Sequence, residues 1–355
     1  MDSLHRARGS PVSEDEPPKF SPGDLQMLTV DYIQMGVLLP SWPSTTKRQN
    51  LDMVDHLAQA LARALARFYP FAGRLAQSVA DEGILTVSLL CTGEGAELVH
   101  AVADDVTVSD VMGSPRIPRV VWSLFPLNGL VGADAAAAAS STPVLLAAQV
   151  TELADGGIFV AMSLNHGVAD GSAFWHLFNT WSEISHRCQE TEISSTTPLP
   201  VLERWFPDTC PVPVPLPFPK LDHAVRRFHG PPVEDRCSRM CGSPCARRLP
   251  PEQETSYTLA LGCRGRVRRV AQAYAGNAMV RCAARAAAGE VLRRGLGRAA
   301  LLLNRAVASQ DEATLVGSAA SWHCGDPMRF LATVRRVRQR LRVGEAPGGA
   351  ERRGE

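Results

Sequence analysis

The hydrophobic pattern in the first half of the chain predicts one long helix followed by several strands. Residues 51–68 carry apolar side chains at spacings of three and four, the stripe of an amphipathic helix of about five turns. Tyr69-Pro70 ends this helix, because the residue before a proline is pushed out of the helical region. Four later segments have the length and composition of strands: Ile84–Leu90, Glu97–Val102, Val144–Val150 and Ile158–Leu164.

The last two of these strands are separated by Asp155-Gly156-Gly157, a turn signal, and are predicted to pair in antiparallel fashion. The small-residue stretch Ala135–Ala139 before them predicts an exposed loop. After the second strand, apolar residues return at helical spacing from Phe174 to Ile184. The segment between that strand and this helix contains His166, and loops in such places commonly carry functional side chains.

Proline dominates the next part of the chain, with eight prolines in residues 198–219. This density excludes helix and central strand and predicts an extended crossover. Beyond it, the pattern predicts a strand at Thr255–Gly262 and helices at Met279–Arg294 and Ala299–Ala308, broken by the glycines at 295–297.

These signals predict an α/β protein of two domains. The N-terminal domain covers residues 1–197, the proline-rich crossover covers 198–220, and a C-terminal domain covers 221–342. The Gly/Glu/Arg-rich tail, 343–355, is predicted to be disordered.

The composition of the 355 residues narrows the function classes. With 45% apolar residues and a net charge of +1, the chain resembles a globular protein without overall attraction to nucleic acid or anionic membrane. No apolar run approaches the roughly 20 residues that span a bilayer, and the polar start lacks a secretory core. We expect a cytoplasmic monomer without nucleic-acid or membrane partners, and interpret the arginines of 335–342 as a solvated helix face.

The nine cysteines do not form a disulfide framework. Cys237, Cys241 and Cys245 are spaced C-x3-C-x3-C, whereas zinc knuckles have tighter pairs and a fourth ligand. We therefore expect free thiols and no metal.

His166 and Asp170 form the candidate catalytic pair. An imidazole with a pKa near 6.5 can take a proton at neutral pH, and a positioned base contributes roughly 10²–10⁴ in rate. An aspartate four residues later could orient the ring or the loop. It could equally do no more than cap the following helix, as could Ser172.

Several segments together resemble the plant BAHD acyltransferases, within the coenzyme-A-dependent acyltransferase superfamily. The matching stretches are His166-Gly-Val-Ala-Asp170-Gly171 with Ser172–Trp175 and Phe178–Ser182, Leu28–Gln34, Phe68–Leu75 and Tyr274-Ala-Gly276-Asn277. The resemblance implies a two-domain, chloramphenicol acetyltransferase-like fold, with mixed sheets flanked by helices and a substrate channel between the domains.

The same resemblance implies a mechanism and a set of site residues. His166 would deprotonate an alcohol or amine acceptor, a small plant metabolite, which attacks the thioester of acyl-CoA directly. Asp170 would point away from the substrate and pair with an arginine, for which Arg264 matches better than Arg266, and Gly171 would support the site. Gly276 and Asn277 would contact acyl-CoA, a co-substrate; no permanently bound cofactor is implied.

The second half departs from the family pattern. The Asp-Phe-Gly-Trp-Gly motif is absent, and residues 231–249 replace expected strand and helix. This predicts a truncated or altered C-terminal part, with an incomplete second domain or a gene-model error. Two alternatives to a transferase stay open: an inactive remnant or binding protein of the same family, and a lyase on the same fold. A serine hydrolase is disfavoured, because no Gly-x-Ser-x-Gly elbow occurs.

Overall fold

The structure, a computed structural model, describes residues 3–7, 18–40, 47–79, 83–113, 117–136, 143–187, 197–208, 210, 212–216, 220–221, 225–227, 249–320 and 332–334. The cysteine run at 237–245, the arginine stripe at 335–342 and the tail from 343 lie outside these residues. The predicted division into domains also stays a prediction.

Seven helices and eleven strands occur in the described residues. The helices are α1 Pro22–Met27, α2 Lys47–Arg67, α3 Val108–Met112, α4 Val120–Ser123, α5 Gly171–His186, α6 Ala288–Ala308 and α7 Glu312–Ala320. The strands are β1 Ser3–Ala7, β2 Ile33–Leu39, β3 Arg74–Val79, β4 Leu85–Leu90, β5 Ala96–Ala103, β6 Leu146–Leu153, β7 Ile158–Leu164, β8 Val225–Arg227, β9 Glu254–Gly262, β10 Met279–Ala287 and β11 Ala332–Val334.

A mixed five-stranded sheet organises the first half, in the order β1-β5-β6-β7-β2. Strands β5 and β6 are parallel, and the other neighbours are antiparallel. The predicted antiparallel pairing of β6 with β7 is confirmed, with Val150 opposite Val160. Asp155–Gly157 makes the turn, and Gly156 adopts a positive φ of 83°, a conformation that glycine accepts without strain.

Helices α2 and α5 pack against each other and share one hydrophobic core with this sheet. Most of the predicted apolar stripe is buried in this core: Leu61, Leu65 and Phe68 are fully buried, and Leu57 is partly buried. The indole nitrogen of Trp181 on α5 donates a hydrogen bond of 2.9 Å to the carbonyl oxygen of Leu57 on α2. This packing fixes the helix that begins immediately after the candidate catalytic loop.

Two predictions about local structure were wrong. Residues 279–287 form strand β10, antiparallel to β9, and not the first half of a helix. The alanine-rich composition favours helix locally, but the backbone hydrogen bonds with β9 override that weak preference. Ala135 and Ala136 belong to a buried 3-10 turn and not to an exposed loop; residues 137–139 lie outside the described residues.

The predicted break at the glycines of residues 295–297 occurs as a kink within one helix and not as a gap between two helices. Helix α6 runs across residues 288–308, but Gly295 inside it has φ 65° and ψ −162°. A positive φ is readily available to glycine and interrupts the helical hydrogen bonds at this point.

Candidate active site

Strand β7 delivers His166 to the end of the sheet, and Asn165 turns the chain there. The Asn165 side chain is fully buried. Its Oδ1 accepts a hydrogen bond of 2.8 Å from the Gly167 amide, and its Nδ2 donates one of 2.9 Å to the carbonyl oxygen of Gly132. A side chain that bonds the backbone two residues on forms an Asx turn. Sequence analysis gave Asn165 no role, although its residue type before a loop was the signal available.

The imidazole of His166 takes no part in holding this loop. Its side chain is partly exposed, and no described residue makes a hydrogen bond to the ring. Among the described residues, the buried side-chain polar atoms without a partner are His166 Nδ1 and Asn277 Oδ1. Buried polar atoms are normally paired, so each of these two atoms calls for an explanation, and a role in ligand binding or catalysis is one.

The carboxylate of Asp170 is buried and makes its hydrogen bonds to other residues of this chain. It is 1% exposed and caps helix α5, accepting hydrogen bonds from the amides of Ser172 and Ala173. It also accepts a bond of 3.0 Å from the Ala278 amide. The sequence allowed either Asp170 or Ser172 as the helix cap, and the structure shows that Asp170 is the cap.

Arg264 is the arginine that meets Asp170, as the resemblance implied. Its Nη1 and Nη2 lie 2.6 and 2.9 Å from the two oxygens of the carboxylate. The same guanidinium donates to the carbonyl oxygens of Tyr274 and Gly276. Asp170 therefore acts on the loop and not on a substrate. Gly171, beside it, is not crowded, since a Cβ there would lie 3.7 Å from Met35 Cε.

Gly276 and Asn277, for which contact with acyl-CoA stays a prediction, lie against the loop that carries His166. Asn277 is 5% exposed, and its Nδ2 donates to Asp24 Oδ1 at 3.0 Å and to the carbonyl oxygen of His166 at 2.8 Å. Gly276 packs against other side chains: an added Cβ would collide with Arg204 Nη1 and lie 2.6 Å from the hydroxyl oxygen of Tyr274. Both residues therefore contact the cluster of polar groups around the His166 loop, which comprises Asp170, Arg264 and Asn277.

Two charged residues that sequence analysis missed complete this cluster. Asp24 is fully buried and accepts hydrogen bonds from Ser21 and Asn277. Arg204, from the crossover segment, lies with Nη1 3.6 Å from Asp24 Oδ1. The spacing Ser21-x-x-Asp24 is a capping box and could have indicated the helix start. No signal in the sequence marks Arg204.

Burial and charge both act on the ionisation of this cluster. Burial lowers the pKa of the Arg204 guanidinium, but the nearby Asp24 carboxylate and Tyr274 raise it, and the net shift is upward. Burial raises the pKa of Tyr274 to about 12. The arginine therefore stays charged and the phenol stays neutral at physiological pH.

A cavity of about 540 Å³ lies between strand β2 and residues of α3 and α4. Its lining is mainly apolar: Gln34, Met35, Gly36, Val111, Met112, Ile117, Pro118, Val121, Trp122, Phe125 and Phe159. Gln34 pairs with Ser163, three residues before His166. The described lining residues all fall between 34 and 159, within the predicted N-terminal domain, and the channel between two domains stays a prediction.

The described residues contain no helix with the length and hydropathy needed to span a membrane. They also contain no cluster of histidine, cysteine, aspartate and glutamate suited to a metal ion.

Comparisons with solved structures show the fold. Vinorine synthase matches with a TM-score of 0.56 at 16% identity, over 93% of this chain and 81% of that chain. TRI101 of F. sporotrichioides, solved with coenzyme A and T-2, matches with a TM-score of 0.61 at 14% identity, over 88% of this chain and 79% of that chain. The α/β architecture with mixed sheets flanked by helices is thus confirmed.

Sequence comparisons give the family. The chain is 38% identical over 201 residues to an uncharacterized acetyltransferase of Arabidopsis thaliana, a match covering 56% of this chain and 42% of that protein. It is 36% identical over 135 residues to a hydroxycinnamoyl-CoA:5-hydroxyanthranilate N-hydroxycinnamoyltransferase of Avena sativa, covering 38% of this chain and 28% of the relative. These matches span less than half of each curated relative. A profile of the Transferase family matches residues 13–229 and 243–343, and the chain therefore belongs to this family, that of the BAHD acyltransferases.

Proposed function

We propose that this protein transfers an acyl group from acyl-CoA to a hydroxyl or amine of a small molecule, with His166 as the general base. One observation carries the proposal. The backbone around His166 is fixed by buried hydrogen bonds, whereas its imidazole has no hydrogen bond to any described residue. A side chain that is held in place but unused by the fold is available for chemistry.

The proposed reaction moves one proton to His166 and back. The imidazole accepts the proton of the acceptor O–H or N–H while the oxygen or nitrogen attacks the thioester carbonyl carbon. The new C–O or C–N bond forms, the C–S bond breaks, and the CoA thiolate takes the proton from the imidazolium. No acyl-enzyme is needed, because holding both substrates together makes the attack effectively unimolecular.

The acyl donor is proposed from the relatives. Hydroxycinnamoyltransferases of Oryza sativa and Avena sativa occur among them, and coenzyme A is present in a structure of the same fold. A hydroxycinnamoyl-CoA is therefore the first donor to test, with acetyl-CoA as the second. Acyl-CoA would act as a co-substrate that leaves after each turnover.

The test is acyl transfer by the full chain, followed as release of free CoA thiol and as acylated product by mass spectrometry. The donors are p-coumaroyl-CoA and acetyl-CoA, and the acceptor panel includes 5-hydroxyanthranilate, which offers an amine and a hydroxyl. We expect His166→Ala to lower kcat by about 10²–10⁴-fold, the contribution of a positioned base. His186→Gln, an exposed histidine at the end of α5, should retain wild-type activity.

Three other results would contradict this proposal or favour another function. Equal activity of wild type and His166→Ala would remove His166 from the mechanism. A folded wild-type protein that consumes no thioester would favour the inactive remnant or binding protein, and turnover without CoA would favour the lyase.

A further inference from the structure

Arg204 is buried beside the candidate catalytic loop although it belongs to the crossover segment. Its side chain is 5% exposed. Nη2 donates a hydrogen bond of 2.8 Å to the carbonyl oxygen of Val168, and Nη1 donates one of 3.3 Å to the carbonyl oxygen of Ala275. A buried guanidinium needs such acceptors because it cannot lose its charge. The crossover is thus anchored in the loop that carries His166.

A second path runs from Arg204 to the backbone of His166. Nη1 lies 3.6 Å from Asp24 Oδ1, the oxygen that accepts from both the amide and Nδ2 of Asn277, each at 3.0 Å. Asn277 Nδ2 then donates to the carbonyl oxygen of His166 at 2.8 Å. The carbonyls of residues 166 and 168 are therefore held by one connected set of polar groups.

The guanidinium is closely surrounded in this position. It packs directly against the backbone of Gly276, so closely that a Cβ on this glycine would collide with Arg204 Nη1. The ring of Tyr274 closes the same side, with its hydroxyl oxygen accepting from the Trp205 amide at 3.3 Å. A buried ion pair adds little stability, because desolvation offsets the attraction. What Arg204 and Asp24 contribute is a fixed geometry.

We propose that Arg204 is a positioning residue for the His166 base, holding the loop through Val168 and, through Asp24 and Asn277, the carbonyl of His166. The proposal rests on the proposed acyl transfer. A shift of the loop would move the imidazole away from the acceptor proton without removing any group that contacts acyl-CoA. The defect therefore belongs in kcat and not in the KM of acyl-CoA.

The experiment compares Arg204→Met and Arg204→Lys with Arg269→Met, whose arginine is exposed and pairs with Asp208. The full chain is assayed with p-coumaroyl-CoA and 5-hydroxyanthranilate, or with the donor and acceptor that wild type turns over fastest in the panel above. We expect Arg204→Met to lower kcat about 100-fold, the effect of a misplacement of about 1 Å, with the KM of acyl-CoA within about threefold of wild type. Arg204→Lys should recover part of the loss, and Arg269→Met should equal wild type.

A double variant separates positioning from folding. Arg204→Met alone leaves Asp24 buried without its counter-charge, so the protein could unfold for that reason. Asp24→Asn/Arg204→Met removes both charges and should restore the near-ultraviolet circular dichroism of the folded protein. Positioning predicts that kcat stays about 100-fold low in this folded double variant; full recovery of kcat, or failure of the double variant to fold, would overturn it.

The failures of the two proposals are distinguishable. If wild type transfers no acyl group from any donor, the proposed function fails and this inference falls with it. If wild type and Arg269→Met transfer while Arg204→Met keeps kcat within about threefold, only the positioning role is rejected.

Discussion

At the scale of single residues, His166 and Asp170 differ in how many hydrogen bonds their side chains make to the rest of the chain. An ionised carboxylate offers about four acceptor positions. The two oxygens of Asp170 already accept from the amides of Ser172, Ala173 and Ala278 and from both ends of the Arg264 fork. Little capacity is left to orient the imidazole of His166. The aspartate fixes the loop, and no hydrogen bond joins its carboxylate to the imidazole in the described residues.

The substitution Asp170→Asn tests this division. An asparagine side chain would keep a helix cap but would present an N–H₂ group toward Arg264, leaving a buried guanidinium without its counter-charge. We expect the free energy of unfolding to fall by about 3–5 kcal/mol, as when one partner of a buried ion pair is removed. Urea unfolding followed by circular dichroism measures this difference.

Asp311→Asn is the matched control for that substitution. Asp311 is exposed and accepts a hydrogen bond of 2.8 Å from the Thr314 amide. Asparagine and aspartate are nearly equal as N-caps, so its effect should stay below about 1 kcal/mol. Equal losses in the two variants would mean that Asp170 is only a cap, the simpler interpretation that the sequence left open.

At the scale of elements, the hydrophobic pattern predicted the helices and strands whose formation depends mainly on local sequence. The bounds of β7 and the buried stripe of α2 were found because their apolar periodicities are strong. Strand β10 was missed because Met279–Ala287 is rich in alanine, which favours helix when its neighbours are unknown. Its pairing with β9 depends on a partner elsewhere in the chain, and periodicity within one segment contains no information about that partner.

The cavity beside β2 leads to a prediction about the acceptor. Gln34 and Met35 line it and lie on β2, next to β7, which ends at Leu164, two residues before His166. If the apolar part of the acceptor binds there, Trp122→Ala removes an aromatic wall, and the KM of the acceptor should rise about tenfold, equivalent to about 1.4 kcal/mol. The KM of acyl-CoA should not change. Steady-state kinetics with one substrate varied at a time measures both.

Trp175→Ala is the matched control, because Trp175 is exposed to a similar extent, 38% against 36%, but is not among the lining residues of the cavity. Its loss should leave the KM of the acceptor unchanged. A rise of similar size in both variants would show that the effect is general, and the acceptor would have to bind elsewhere.

At the scale of the whole molecule, the candidate site is assembled from parts of the chain that are far apart in sequence. Asn277 meets Asp24 across 253 residues, and Arg264 meets Asp170 across 94. The resemblance supplied His166, Asp170 and Arg264, because these lie in motifs. Asp24 and Arg204 could not be found in the same way, since their role depends on which segments the fold brings together.

The two halves of the chain also differ in how their strands are buried, and this predicts unequal local stability. Six of the eight residues of β6 are buried, whereas none of the nine residues of β9 is. In the described residues β9 pairs with β10 alone, and a two-stranded sheet is marginal by itself in water. Local opening should therefore be easier in β9–β10 than in β6–β7.

Native-state hydrogen exchange, followed by mass spectrometry on the full chain, measures this difference directly. After correction for intrinsic rates, we expect the amides of β6 and β7 to exchange about 100-fold more slowly than those of β9 and β10. Because Arg264 and Asn277 lie beside β9 and β10, opening of these strands would release the supports of the His166 loop before the first half unfolds. Equal protection of both strand pairs would instead mean that the loop and its supports open only when the whole molecule does.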